Sequence, residues 1–337
     1  MSGAVDTLFI PFATGDIALP GAGQRIAFLN AAVPDALPEG FDRAALLCEQ
    51  GFRPAFLALE RAGYAAVPVF DGAAGDFAAA LVLAGKHKGE NRAMIARACG
   101  LAAPDGTVAV AGDKTLGIQP LRKWTGDRVA IEGSLAKHHA TVFSFAAPRD
   151  DVFSDMDAGV VLVDGRFETA PGMFSHARPD PGSVLLARHI DERITGDVAD
   201  FGAGWGYLAS HVLERSRPAS LAMFEAHYPS LKAAERNVGP LAPGLPVSAH
   251  WRDLAAEPVA RRFDWVVMNP PFHSGRAAEP DIGRAFIAAA SNALKPGGRL
   301  LMVANRKLPY EQALAQGFRR VAEKDVEAGY KVIEAVR

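Results

Sequence analysis

Cysteine is scarce in this chain: Cys48 and Cys99 are the only two among 337 residues. Both lie in alanine-rich surroundings without metal-ligand spacing, which argues against a disulfide framework or a zinc site and suits a reduced, cytoplasmic protein. Excess charge is missing too. With 36 Lys and Arg against 38 Asp and Glu the net charge is −2, so any nucleic-acid partner must be held by a local basic patch. No apolar run approaches the roughly 18 residues of a membrane-spanning helix. Met1 to Thr14 lacks the basic segment and apolar core of a secretion signal. A soluble protein without a membrane partner is expected. Its length exceeds what one core usually organises, so two domains are expected as well.

What is present begins with Asn269-Pro270-Pro271-Phe272-His273, set directly after the apolar run Phe263, Trp265, Val266, Val267, Met268. Each proline fixes its own φ near about −65° and keeps the residue before it out of the helical region, so the string is a stiff, extended exit from a buried strand. An exocyclic amine on a planar ring is a poor nucleophile, because its lone pair is delocalised into the ring. Hydrogen-bond acceptors can pull that lone pair back. The Asn269 side-chain oxygen and the Pro270 carbonyl are suited to this, and Phe272 offers a stacking face. The string therefore points to methylation of a planar amine, with Asn269, Pro270 and Phe272 as candidate catalytic residues and Pro271 and Phe272 as substrate contacts. His273 is read as a cap of the loop or as a proton relay.

Upstream, Val198 and Ala199 lead into Asp200-Phe201-Gly202-Ala203-Gly204-Trp205-Gly206 and a helix-like stretch, Tyr207 to Glu214. A strand, a glycine turn and a helix start let a ligand approach the backbone, which a Cβ would obstruct. The spacing departs from the Gly-x-Gly-x-x-Gly that seats a dinucleotide pyrophosphate. Asp200 would repel a pyrophosphate but can hold the loop or orient the ammonium of S-adenosylmethionine. That cofactor is favoured, with a nicotinamide oxidoreductase as the alternative. Glu225, ending Ser220 to Phe224, stands where an acid can accept both ribose hydroxyls. Asp253, after the strand Pro246 to His250, can accept from the adenine amine or cap the next helix. The cofactor-binding candidates are thus Asp200, Gly202, Gly204, Gly206, Glu225, Asp253 and Asn269.

The two halves echo each other. Ala80 to Gly117 and Asp264 to Leu308 both read strand, loop, helix, glycine turn, strand, which suggests duplication. The first copy has Gly85-Lys86-His87-Lys88 where the second has Asn-Pro-Pro-Phe, and upstream only Gly21-Ala22-Gly23, a poor cofactor loop. The N-terminal half thus reads as a degenerate copy. Its Lys86, Lys88 and Arg122, with His87, Arg92, Lys114, Lys123 and Lys137, are candidates for a phosphate-binding face. His138 and His139 are read as structural, since neighbours on a strand point to opposite faces. Residues 1–155 form the expected first domain and 166–337 the catalytic one, with a linker in Pro148 to Gly172. Phe174, just beyond, either covers the methionine end of the cofactor or packs in the core.

Several strings carry a family resemblance: Phe174-Ser175, Gly182-Ser183-Val184-Leu185-Leu186, Asp200 to Gly206, Asn269 to Gly275, and Val303-Ala304-Asn305-Arg306-Lys307-Leu308-Pro309-Tyr310. The sequence resembles the bacterial ribosomal RNA guanine-N2 methyltransferases of the RsmC type. Adenine-N6 and protein glutamine methyltransferases share the tetrapeptide but not its His273-Ser274-Gly275 continuation. The resemblance implies an α/β protein with two tandem Rossmann-like class I methyltransferase domains. The N-terminal one would be degenerate and the C-terminal one would carry a seven-stranded, mostly parallel sheet. It implies Gly202, Gly204 and Glu225 around S-adenosylmethionine, and Asn269, Pro270 and Phe272 around guanine. It also implies small-subunit ribosomal RNA or the small ribosomal subunit as partner, direct in-line transfer without a metal and S-adenosylhomocysteine as product; a monomer is expected because the duplicated half can supply within one chain a surface that a partner would otherwise provide. Large-subunit RNA and a catalytically silent RNA-binding scaffold remain alternatives.

Overall fold

A computed structural model of the chain describes every residue except Met1, 71–74, Asp151, 154–158, Phe272, Gly275, Arg276 and Glu279. The chain divides into two compact units, Met1–Gly159 and Val160–Arg337. The first contains α1 (Ser2–Thr14), β1 (Ile26–Leu29), β2 (Leu46–Glu49), α2 (Arg53–Arg61), β3 (Ala65–Val67), β4 (Phe77–Leu83), α3 (Lys88–Leu101), β5 (Ala102–Asp113), α4 (Ile118–Gly126), β6 (Gly133–Lys137) and β7 (Ala140–Ala146). The second opens with β8 (Val161–Val163), β9 (Phe167–Thr169), α5 (Pro181–Ala187), β10 (Thr195–Phe201), α6 (Tyr207–Arg215), β11 (Arg217–Glu225), α7 (Tyr228–Val238), β12 (Val247–Trp251) and β13 (Phe263–Met268). It continues with β14 (His273–Ser274), β15 (Ala277–Ala278), α8 (Pro280–Ala293), β16 (Leu294–Asn305), α9 (Glu311–Gly317), β17 (Arg320–Glu327) and β18 (Tyr330–Val336).

Each unit is built on one seven-stranded sheet, in the orders β3-β2-β1-β4-β5-β7-β6 and β12-β11-β10-β13-β16-β18-β17. Numbered within its own sheet, each set of seven strands has the same order, and in each the last two strands join antiparallel to a parallel remainder. The identical topology extends the echo seen in sequence to every strand of the two sheets. In the second unit the central strands are apolar on both faces, as helices on both sides demand. Val266 and Met268 of β13 point into one core with Ile287 and Ala290 of α8, while Trp265 and Val267 point into the other with Leu185 of α5 and Val212 of α6. In the first unit α1 supplies Val5, Leu8, Phe9 and Phe12 to the core against β1 and β5.

Two local expectations change, and a third, that Gly21-Ala22-Gly23 is no cofactor loop, stands. β8 and β9 pair as an antiparallel hairpin of the second unit, so 160–169 is folded there and is not linker. His138 and His139, with φ of 49° and 58°, form the turn between β6 and β7; the tight hairpin governs them, not strand alternation. Gly21 and Gly23 precede β1, whereas the counterpart of a cofactor loop follows that strand, at Asn30.

Helix α6 starts at Gly206, whose φ is +91°. A Cβ there would lie 2.9 Å from Val238 Cγ2 and 3.1 Å from Ala234 Cα, both on α7. Gly206→Ala combines left-handed strain with overpacking and is expected to destabilise the second unit by roughly 2–4 kcal/mol. Denaturant titration checks this, and a midpoint equal to that of the parent would contradict it.

Candidate active site

The site follows from one strand pairing. β10 and β13 are parallel neighbours with Phe201 opposite Met268, so Gly202 and Asn269, the residues after them, emerge together at the carboxyl edge of the sheet. The strand order reverses there, because β10 continues to β11 on one side while β13 starts the other wing, and such switch points open a crevice. The crevice is lined by Phe174, Ser175, Asp180, Ser183, Gly202, Ala203, Gly204, Trp205, Tyr207, Leu208 and Asn269.

The floor is held by Glu225, the last residue of β11. One carboxylate oxygen accepts from the Gly204 amide and the other from the His227 amide, each at 2.8 Å. Burial raises the pKa of this group, and the backbone amides of His227, Gly204 and Ala226 oppose the rise. Glu225 therefore shapes the glycine loop as well as standing at its edge. Trp205, only 4% exposed, borders the crevice and packs into a small core with Val163, Phe167 and Met173. Its Nε1 donates to the Phe174 carbonyl at 2.8 Å. That bond fixes the segment bearing Phe174, whose ring is 61% exposed and belongs to the rim, not to the core.

Asn269 is the most constrained polar side chain of the crevice. Its Nδ2 donates to Asp180 Oδ2 at 2.9 Å and to Ser183 Oγ at 2.8 Å, which uses both amide hydrogens. Its Oδ1 is buried and has no partner. Asp180 also caps α5, accepting from the Ser183 amide at 2.9 Å. In sequence Asp180 and Ser183 give only a helix start; nothing local announces that they meet a residue 86 to 89 positions away.

The other candidates fall at varied places. Pro270 is buried and Pro271 exposed. Phe272 lies outside the described residues, as does any side-chain role of His273, whose backbone pairs β14 with β15. Asp253 accepts from the Ala255 amide at 3.0 Å, as a residue capping a turn does. Gly206 faces α7. Asp200 is fully buried under the loop with neither oxygen in a hydrogen bond. Burial pushes its pKa up to about 7; the Ala209 amide, which faces it without closing a bond, opposes the rise and the Glu225 carboxylate adds to it. Among the described residues no group of three His, Cys, Asp or Glu is arranged to hold a metal ion. Burial lifts both thiols, Cys48 and Cys99, to about 12, so neither is nucleophilic at neutral pH.

The same edge of the first unit is filled. Leu29 of β1 is opposite Glu49 and Val82, so Asn30 takes the place of Gly202 and Gln50 that of Glu225. Asn30 keeps the left-handed backbone, with φ +53°, but its Nδ2 crosses to the Leu83 carbonyl at 2.8 Å. Gln50 Nε2 bonds the Ala31 carbonyl at 2.7 Å, and its Oε1 accepts from the Phe52 amide at 2.8 Å. The loop in the place of Asn-Pro-Pro-Phe is latched by Asn91, which both donates to and accepts from the Gly85 backbone at 2.8 Å. Lys86 on that loop and Lys88 at the start of α3 are exposed. Arg122, on α4, reaches Ser134 Oγ at 3.4 Å. Arg92 lies over the Trp124 ring at 4.7 Å with a buried Nε, which removes it from an exposed basic face.

The raised Asp200 pKa has a signed consequence. A carboxyl that titrates near 7 when folded and near about 3.9 when unfolded contributes stability that is present below pH 4 and lost as pH rises through 7. Asp200→Asn, neutral at all pH, is expected to gain stability relative to the parent between about pH 4 and 7. Denaturant titrations at several pH values check this, and a pH-independent difference would contradict it.

The family described as "Methyltransferase small domain" matches residues 164–334. The "Ribosomal RNA small subunit methyltransferase C" of Idiomarina loihiensis is 30% identical over 278 residues, 76% of this chain and 77% of that protein. The protein of the same name from Alcanivorax borkumensis is 38% identical over 174 residues, 49% of this chain and 50% of that one. In structure the chain is similar to the T. thermophilus 16S rRNA N2 G1207 methyltransferase, RsmC, in complex with AdoMet and guanosine. The TM-score is 0.79 at 25% identity, over 99% of this chain and 91% of the other. Two units of one topology, a crevice between a glycine loop and Asn269, and these likenesses agree: the chain belongs to the RsmC-type family of ribosomal RNA small-subunit methyltransferases.

Proposed function

We propose that this protein transfers a methyl group from S-adenosylmethionine to the exocyclic N2 amine of a guanine in small-subunit ribosomal RNA, leaving S-adenosylhomocysteine. The observation that carries the reading is the buried, unpartnered Asn269 Oδ1 beside the glycine loop. A buried acceptor without a partner is costly unless a ligand supplies the donor, and the N–H of a purine amine is such a donor.

The residues present fit the cofactor. Gly204 leaves open space where a side chain would project, and Gly202 leaves room up to Phe286 Cε1, 3.4 Å from its notional Cβ. Gly202, Gly204 and Glu225 would hold S-adenosylmethionine, with Asn269 and Phe174 at its border. When bound it supplies a sulfonium methyl, an electrophile whose leaving group departs neutral and so calls for no metal.

The protein's contribution is orientation. Asn269 Oδ1 accepts one amine hydrogen, which localises the nitrogen lone pair and stabilises the positive charge that grows there in the transition state. The Pro270 carbonyl is assigned the second hydrogen, and the two prolines hold both acceptors without helical alternatives. Phe272 is assigned the stacking face. Holding the amine in line contributes several kcal/mol, up to roughly 7–11 in the best intramolecular cases. The proton lost by the amine passes to water. Asp200 supports the loop from beneath. Asp253 is assigned to its turn.

Guanine in small-subunit RNA is favoured over large-subunit RNA, adenine N6 or protein glutamine by the substrates named for the relatives. The reading places the protein in the cytoplasm as a monomer. In the first unit Asn30 and Gln50 occupy the cofactor's place, which leaves that unit free for RNA, through Lys86, Lys88 and Arg122.

Asn269→Ala is expected to lower kcat on undermethylated small subunits by on the order of 100- to 1,000-fold with S-adenosylhomocysteine affinity nearly unchanged. Tritium transfer and mass spectrometry of the product check this; full activity at saturating substrates would refute the site. Replacing Lys86, Lys88 and Arg122 together by alanine is expected to weaken RNA binding and to reduce its salt slope by about 2–3. An unchanged slope would remove these residues from the interface.

A further inference from the structure

An asparagine side chain presents nearly the same shape when its amide is turned over, but the two orientations have opposite chemistry. With Oδ1 toward the crevice, Asn269 accepts from an amine. Turned over, it sets its own N–H against the amine's and repels it. Something must choose, and neither proline of the motif has an N–H to offer the amide oxygen. We propose that Asp180, assisted by Ser183, is the positioning residue that fixes the Asn269 amide with its oxygen toward the substrate. This inference rests on the function proposed above.

Asp180 is the group that discriminates. An ionised carboxylate has only acceptors, so its Oδ2, 2.9 Å from Asn269 Nδ2, tolerates the amide nitrogen and repels the amide oxygen. Ser183 Oγ, 2.8 Å from the same nitrogen, takes the second hydrogen. As a hydroxyl it both donates and accepts, so alone it would hold either orientation. The carboxylate is held in turn by α5, whose Ser183 amide donates to the same oxygen at 2.9 Å, and Pro181 at the helix start pre-sets the turn. Both groups line the crevice with Asn269. The result is the unpartnered Oδ1, a preorganised acceptor that needs no reorientation when the amine arrives.

Cap and lock share one oxygen, since Asp180 Oδ2 accepts from both the Ser183 amide and Asn269 Nδ2. Asp180→Asn can set its amide oxygen in that place and keep both bonds, so it is the conservative variant. Asp180→Ser keeps a cap but its shorter side chain leaves the amide to Ser183, which holds either orientation. With undermethylated small subunits as substrate, kcat is expected to fall on the order of 10-fold in Asp180→Ser and to be restored toward the parent's in Asp180→Asn. The thermal midpoint and S-adenosylhomocysteine affinity should stay near the parent's in both.

The reciprocal change is a second readout. Asn269→Asp alone sets two carboxylates against each other. Combined with Asp180→Asn, the new carboxylate meets a neutral amide that can donate to it while its other oxygen faces the substrate. The double variant is expected to turn over at least about 10-fold faster than Asn269→Asp. A helix cap without influence on the amide gives no such rescue. Parental kcat in Asp180→Ser, or a double variant no faster than Asn269→Asp, overturns the inference. Asn269→Ala separates the two failures. If it is inactive while Asp180→Ser is fully active, only the positioning role falls; if it is active, the site itself is misassigned.

Discussion

The parallel pairing of β10 with β13 is the constraint on which the site depends. Its register sets Phe201 against Met268 and so brings a glycine loop and a proline-stiffened loop, far apart in sequence, to one crevice. Both strands are buried on both faces, and a slip of one residue would exchange their two cores. The packing that stabilises the sheet therefore also fixes the catalytic geometry. Around this pair the polar groups are arranged in tiers. Glu225 shapes the glycine loop through two amides, Asp180 and Ser183 hold Asn269, and Trp205 anchors the rim that carries Phe174.

The first unit shows how little must change to close such a crevice. The sheet order is the same, and the backbone at Asn30 keeps the left-handed turn of Gly202. A side chain occupies the space that the glycine leaves open, and an amide in the place of Glu225 closes onto the loop. The latch of Asn91 on Gly85 completes the closure where the other unit has Asn-Pro-Pro-Phe. Both side chains satisfy their own hydrogen bonds and leave the strand pairing intact, while no α-helix stands between β1 and β2 where α6 stands between β10 and β11.

Much of the second unit was legible in sequence because its signals are local. The glycine loop between strand and helix, Glu225 at the next strand end and Asn269 to Pro271 after an apolar run each occupy a few consecutive residues. The duplication was legible for one strand-helix-strand unit and extends to the whole sheet. What sequence did not disclose depends on tertiary contact. Asp180 and Ser183 read as a helix start because their partner lies in another loop, and nothing local places Trp205 in a core with residues of β8, β9 and the segment after them. Asp200 carries the right charge for a cofactor contact, yet strand alternation turns it beneath the loop. His138 and His139 were misread as strand residues because a two-residue hairpin turn leaves no glycine or asparagine signature here.

The central claim is that one topology, used twice, holds one cofactor, and that the side chains filling the first copy, Asn30 at the turn after its first strand foremost, leave only the second copy open. Calorimetric titration with S-adenosylhomocysteine tests it most directly, comparing the parent chain with Gly202→Asn, which installs in the second unit the residue found at Asn30. The account predicts one equivalent bound by the parent and none by the variant, with the fold retained. Two equivalents bound by the parent, or undiminished binding by the variant, would contradict it.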